Sequence, residues 1–152
     1  MEIIALSGSA DCGKSNTLNI AYQLLLNAGY TQVTGHFGRA STHNFIGQDF
    51  YNNDFFDVLT KEGKLIGITT GEDSEEDLEK RLAYFKSEGC IKAICACTNS
   101  DNYLAVIKKQ AHYKIIDKTS QTADALKRIS DGTFAREVVA LIKNSNLLFT
   151  PV

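Results

Sequence analysis

Residues 3–17 of this 152-residue chain read IIALSGSADCGKSNT, a short apolar run followed by a loop with two glycines. The apolar run is typical of a buried parallel strand, and the residues from Lys14 onward carry the periodicity of a helix. Between them, Gly8 and Gly13 permit dihedral angles and close backbone approaches that other residues resist. The stretch therefore predicts a strand, a tight loop and a helix, in that order.

The loop between this strand and helix matches the pattern G-x-x-x-x-G-K-[ST]. On these eight residues the chain resembles the P-loop NTPase superfamily. The resemblance implies that backbone N–H groups and the positive end of the helix hold the phosphates of a nucleoside triphosphate. We expect the side chain of Asp11 to point away from that anion. The implied nucleotide contacts are Gly8, Ser9, Ala10, Asp11, Cys12, Gly13, Lys14, Ser15 and Asn16.

Two of these residues have distinct implied roles. The resemblance implies that Lys14 is catalytic and bridges the β- and γ-phosphates, and that the Ser15 hydroxyl ligates Mg²⁺. Hydrolysis also needs a group that helps to hold the metal ion. For this second catalytic and metal-organising position we choose Asp73, ahead of Glu72 and Asp57, because it follows a predicted strand. An alternative role for Asp73 stays open: its carboxylate would only stabilise the start of the following helix through the helix dipole.

The strand ends also bear on the identity of the nucleotide. The Asn-Lys-x-Asp signature of guanine-binding P-loop proteins does not occur at 98–101 or at 116–119, so ATP is the expected nucleotide. Three functions remain open: a Mg²⁺-dependent ATPase or related NTPase, a nucleotide or small-molecule kinase, and a regulatory GTPase-like switch module that does not hydrolyse nucleotide. A kinase lid uses clustered arginines, whereas those of this chain are scattered, at Arg39, Arg81, Arg128 and Arg136.

Two apolar runs, 54–59 and 64–70, flank a turn at 61–63 and predict an antiparallel hairpin. The second run is apolar enough to lie beside the first strand of the chain. This arrangement resembles the small-GTPase layout, in which such a hairpin leads to an Asp-x-x-Gly turn. Here Ile68 or Thr69 occupies the aspartate position, which removes a group that helps to hold Mg²⁺ through water.

The rest of the sequence alternates between helix and strand patterns. The patterns predict a helix opened by Ser74, followed by a strand, a helix, a strand and two short helices, at 91–98, 101–110, 113–117, 123–129 and 134–143. The alternation predicts one α/β domain over residues 1–152. We expect a three-layer sandwich of the P-loop NTPase type, whose central sheet is mostly parallel, with about five strands and one antiparallel edge strand.

Net charge and hydrophobicity indicate the cellular compartment of the protein and the kinds of partner that it binds. A net charge of −2 argues against a nucleic-acid surface. No stretch reaches the ~18 apolar residues of a membrane helix, and the N-terminus lacks the pattern of a signal peptide. We therefore expect a cytoplasmic protein whose partner is ATP or another nucleoside triphosphate, and no oligomeric state is predicted. Cys90, Cys95 and Cys97 predict buried free thiols, whereas Cys12, in the loop, leaves redox control open.

Residues 30–53 form the longest stretch without helix or strand periodicity. It contains His36, Arg39 and His43, which we interpret as polar surface residues, with a γ-phosphate contact by Arg39 as the alternative. Long loops in compact domains are often functional. We predict that this segment is the least ordered and tightens when nucleotide binds, with a rigid loop on the sheet edge as the alternative.

Overall fold

The computed structural model describes residues 1–9, 13–33, 55–70, 74–118, 124–143 and 150–151. These residues form four helices, α1 (Lys14–Asn27), α2 (Glu75–Ser87), α3 (Asp101–Lys108) and α4 (Asp124–Lys143). They also form seven strands, β1 (Glu2–Gly8), β2 (Thr31–Gln32), β3 (Phe56–Lys61), β4 (Lys64–Thr69), β5 (Lys92–Thr98), β6 (His112–Asp117) and β7 (Thr150–Pro151). None of the described helices has the length and hydrophobicity that a membrane span requires.

The seven strands form one mixed sheet in the order β2-β3-β4-β5-β1-β6-β7. The central strands β4, β5, β1 and β6 run parallel to one another. The outer pairings β2–β3, β3–β4 and β6–β7 are antiparallel. The prediction of an α/β fold is confirmed, but that of about five mostly parallel strands is wrong for the described residues. The short edge strands β2 and β7 have two residues each, which is too short for a periodic signal.

The strand order also corrects the position of the hairpin. β3 and β4 form the predicted antiparallel hairpin, and Glu62 and Gly63 turn between them with φ of 55° and 78°. β4 does not lie beside β1, however, because β5 pairs with both and separates them. The expected small-GTPase layout is therefore wrong at this point. An apolar run shows that a strand is buried on both faces, and it does not show which strand lies next to it.

Helices cover both faces of the sheet. Successive β1 residues point to opposite faces, and Ile4 and Leu6 pack with α1 and α4 while Ile3 and Ala5 pack with α2 and α3. The helical periodicity after Lys14 comes from Leu18, Ala21, Tyr22 and Leu25, and in α1 all four side chains are fully buried. The three layers are therefore the α1–α4 layer, the sheet and the α2–α3 layer.

Two helix predictions are wrong in detail. α4 is one continuous helix across Asp131 and Gly132, where we expected a break. A glycine inside a helix costs only about 1 kcal/mol relative to alanine, and the long buried face of α4 outweighs that penalty. The helix predicted over 101–110 ends earlier, since α3 runs from Asp101 to Lys108, and its buried positions are Val106 and Ile107.

Candidate functional site

The junction of β1 and α1 has the strand–loop–helix order that the sequence predicts. β1 ends at Gly8, and Gly13 is the N-cap residue of α1 with a left-handed φ of 94°. A side chain at that φ costs about 1–2 kcal/mol, which explains glycine at this position. Ala10, Asp11 and Cys12 lie outside the described residues, so the predictions for them stay predictions.

The N-terminus of α1 has neither of the usual stabilising side chains. No side chain caps it, and its first turn contains no acidic residue. The first backbone hydrogen bond of the helix runs from the Thr17 N–H to the Gly13 carbonyl at 2.9 Å. In the first turn of any α-helix the backbone N–H groups point along the axis away from the helix, and they carry the positive end of its dipole. This helix end is thus suited to an anion.

The Lys14 side chain folds back toward the strand. Its ammonium donates to the carbonyl oxygens of Gly8 at 2.8 Å and Ser9 at 2.9 Å. The Gly8 carbonyl also accepts from the backbone N–H of Asn99, at 3.0 Å, just after β5 ends. The ammonium is therefore held at the carboxyl edge of the central strands, where ligands of open α/β sheets bind.

Ser15 and Asn16 follow Lys14 in the first turn of α1, and both are half-buried. The Ser15 carbonyl accepts from the Nδ2 of Asn19 at 2.8 Å. The structure describes six of the nine predicted nucleotide contacts, and all six lie at this strand–helix junction. They are Gly8, Ser9, Gly13, Lys14, Ser15 and Asn16.

A buried ion pair lies directly behind the loop. The Lys118 ammonium, just after β6, is 2.7 Å from the Oδ1 of Asp131 on α4, and the two side chains are 0% and 1% exposed. Thr17 of α1 donates its hydroxyl to the same Oδ1 at 3.3 Å. The ammonium also lies 5.5 Å from the centre of the Phe134 ring. The pair thus ties together α1, α4 and the end of β6.

This ion pair touches the second glycine of the motif. A Cβ atom added at Gly13 would lie 2.5 Å from the Asp131 Oδ1 and 3.2 Å from the Lys118 Nζ. The first distance is too short for a side chain unless Asp131 shifts, so Gly13, at the start of α1, packs against the pair because it has no side chain. Gly13 is therefore required both by its φ and by its contacts.

Sequence reasoning missed this pair, although one signal pointed to it. Asp131 shares its spacing with Ala135, Val138 and Ile142, which form the buried face of α4. An acidic residue at a core position needs a buried partner, either a cation or a hydrogen-bond donor. We interpreted Asp131 and Gly132 as a helix break, which concealed that requirement.

Asp57, one of the rejected alternatives for the metal-organising acid, has a different role. It is 1% exposed, and its Oδ2 accepts hydrogen bonds from the Tyr22 hydroxyl at 2.6 Å and the Gln32 amide at 3.1 Å. Burial, followed by the hydrogen bond and the charge of Asp57, raises the pKa of Tyr22 well above its ordinary value. This network joins α1 to β2 and β3.

The chosen acid Asp73 and its alternative Glu72 lie outside the described residues, as do His36, Arg39 and His43. Within the described part of the chain, no group of three or more His, Cys, Asp and Glu side chains could hold a metal ion. Cys90, Cys95 and Cys97 are buried free thiols, as predicted. Burial, with a smaller contribution from the charge of Glu88, raises the pKa of Cys90 to about 11.

The residues at the ends of β5 and β6, where a guanine signature would lie, have other roles in the structure. Ser100 is the N-cap residue of α3 and Asp101 is its first residue. Lys118 is fully enclosed in the ion pair. Arg81, one of the scattered arginines, bonds to Asp77 at 3.0 Å and to the Thr69 hydroxyl at 2.5 Å.

Comparison of the chain with protein-family models, with curated proteins and with solved structures found no match. The function is therefore inferred from the chemistry of the chain itself.

Proposed function

We propose that this chain binds a nucleoside triphosphate at the junction of β1 and α1, as a protein of the P-loop NTPase type. The observation that carries the proposal is the position of Lys14. Its ammonium lies at the mouth of the junction, 2.8 Å and 2.9 Å from two loop carbonyls, beside a helix N-terminus without a capping side chain. A triphosphate would supply the negative charge that both the ammonium and the helix end favour.

Mg²⁺ fits the proposal through Ser15. Magnesium in such sites is held by one or two protein oxygens, by phosphate oxygens and by water, and needs no cage of carboxylates. Ser15 adjoins Lys14 in the first turn of α1, where its hydroxyl oxygen would serve as the protein ligand. When bound, the metal ion would neutralise charge on the phosphates. Asp73 is the proposed second metal-organising residue.

ATP is the proposed nucleotide and hydrolysis the proposed reaction. The lysine at the end of β6 is fully enclosed by Asp131 and its neighbours, which leaves it no contact with a guanine base. Arg81 on α2 is held by Asp77 of the same helix and by Thr69 of β4, which supports hydrolysis over a kinase whose lid arginines must move. Phosphate release from Mg²⁺-ATP, measured with and without small-molecule acceptors, tests this choice.

The proposal predicts a specific effect of Lys14→Met. Because the ammonium addresses the outer phosphates, the variant should lose about tenfold or more in affinity for Mg²⁺-ATP and much less for AMP. Isothermal titration of both ligands measures this. Lys80→Met removes the same charge from an exposed position on α2 and serves as the matched control.

Mg²⁺-GTP is titrated in parallel with Mg²⁺-ATP. If the native chain bound neither triphosphate, the proposed function would be wrong. Equal losses for ATP and AMP in Lys14→Met would instead show that Lys14 does not address the outer phosphates.

A further inference from the structure

The buried pair of Lys118 and Asp131 lies where it can act on the phosphate loop. We propose that this pair is a positioning device for the loop: it fixes Gly13 and the N-terminus of α1, and its two opposite charges cancel beside the anion site. The inference rests on the proposed function, because it names the anion of that site as the ligand whose affinity the pair controls.

The first step is geometric. The pair joins the end of β6 to α4 at 2.7 Å, and Thr17 joins α1 to the same carboxylate oxygen at 3.3 Å. The backbone N–H of Lys118 donates to the Ser7 carbonyl at 2.8 Å, one residue before β1 ends at Gly8. Both sides of the loop, β1 before it and α1 after it, are thus held by hydrogen bonds to Lys118 or Asp131.

The second step is energetic. Removing two charges from water is costly, and well-packed apolar residues often replace a buried pair without loss of stability. Most of the neighbouring buried positions of α4 are in fact apolar, as at Ala135 and Val138. A role beyond stability accounts for a fully buried pair in this layer, and the contact with Gly13 supplies that role.

The third step concerns the sign of the charges. With both partners present, an anion in the loop meets the helix dipole and Lys14, and the charges behind Gly13 cancel. Without the carboxylate, the Lys118 ammonium would remain as a buried cation close to the anion. Without the ammonium, the Asp131 carboxylate would remain and repel the anion.

Both variants break the contact that positions Gly13, so each should lose some affinity for Mg²⁺-ATP. The remaining charge should separate them, because Asp131→Asn leaves a cation near the anion and Lys118→Met leaves a carboxylate. Asp131→Asn should therefore bind Mg²⁺-ATP about tenfold or more tightly than Lys118→Met, the size expected for a unit charge about 10 Å away at an effective dielectric constant of about 20. A packing role without the charge effect predicts equal affinity in the two variants, since both break the same contact.

The experiment is isothermal titration of Mg²⁺-ATP and of pyrophosphate into the native chain and the two variants. Lys109→Met and Glu79→Gln break an exposed pair between the C-cap residue of α3 and α2, with atoms 3.1 Å apart, and serve as matched controls. Circular dichroism and urea unfolding establish that each variant is folded. If Lys118→Met does not fold, the double variant Lys118→Met with Asp131→Asn replaces it, and Asp131→Asn alone should bind ATP more tightly than the double variant.

A second readout needs no ligand. The amide signals of Gly13 and Lys14 in a ¹⁵N-labelled chain should shift and exchange faster in the pair variants than in the controls. Equal affinity for Mg²⁺-ATP in the two variants would overturn the charge argument, and unchanged Gly13 and Lys14 amides would overturn the positioning role. If the native chain bound neither ATP nor pyrophosphate, the proposed function would fail on its own, and the amide signals would still decide whether the pair positions the loop.

Discussion

Gly13 is constrained by its own backbone and also by its neighbours. Its φ of 94° disfavours any side chain, and Asp131 occupies the space that a Cβ atom would need. Gly63, in the hairpin turn, shares the first constraint with a φ of 78°, but nothing lies within 4 Å of its added Cβ. A side chain at Gly63 would therefore incur only the backbone cost of a positive φ, whereas a side chain at Gly13 would also clash with Asp131.

Gly13→Ala should destabilise the chain more than Gly63→Ala does. The backbone term is about 1–2 kcal/mol for each. Overpacking against the ion pair should add about 1–3 kcal/mol at Gly13 alone. Urea unfolding followed by circular dichroism measures both, with Gly63→Ala as the control. Equal losses would show that Asp131 moves aside without cost.

At the element scale, close packing between α2 and β4 depends on the absence of a side chain at Gly67. A methyl group there would overlap the ring of Phe85. That ring is fully buried and stacks on Phe56 with centroids 4.7 Å apart and planes at 10°. The glycine thus sets how near the helix lies to the sheet.

Gly67→Ala should cost about 1–3 kcal/mol of unfolding free energy through this overlap. Phe85→Leu should relieve it, so the double variant should lose less than the sum of the single losses. Urea unfolding of the four proteins in this cycle measures the coupling. Strictly additive losses would mean that the ring already yields to a methyl group.

Helices and strands with a periodic pattern of apolar residues could be predicted from the sequence. The order of the strands in the sheet could not. Leu18, Ala21 and Tyr22 repeat with the helix period, and all three are buried as predicted. The position of β5 between β4 and β1 depends on pairings such as Ala5 with Cys95, far apart in the chain, for which a single sequence carries no pattern. The same holds for the site: Gly8, Gly13 and Lys14 form a contiguous motif, whereas the Lys118–Asp131 pair exists only in the folded chain.

At the scale of the whole molecule, the buried Tyr22 hydroxyl and Cys90 thiol stay neutral in the fold, so the unfolding free energy should fall as the pH rises in the alkaline range. Burial raises the pKa of Cys90 from its ordinary 9.0 to about 11, and burial together with Asp57 raises that of Tyr22. In both cases the unfolded chain ionises at a lower pH than the folded chain does. The stabilisation is thus fully present below the unfolded pKa and is lost as the pH rises toward the folded pKa.

We therefore expect the unfolding free energy to fall between about pH 9 and 11, with Cys90 contributing up to about 2 kcal/mol of the loss. Urea unfolding at pH 8, 9, 10 and 11 measures the fall. Cys90→Ala should reduce the slope over this range, and Tyr22→Phe should reduce it from about pH 10 upward. A flat profile in the native chain would contradict the expectation.

The strand order has a further consequence for how the chain is made. β1 leaves the ribosome well before the strands that flank it on both sides: Ile4 lies opposite Ile94 and also opposite Lys114. Until those strands emerge, β1 has no parallel neighbours, and Lys118 has not been synthesised. Such long-range pairing slows folding, because the loop must be closed before its contacts form. β1 thus depends on strands that follow it by about ninety residues or more, and a nascent chain can complete the proposed nucleotide site only after Asp131 has emerged.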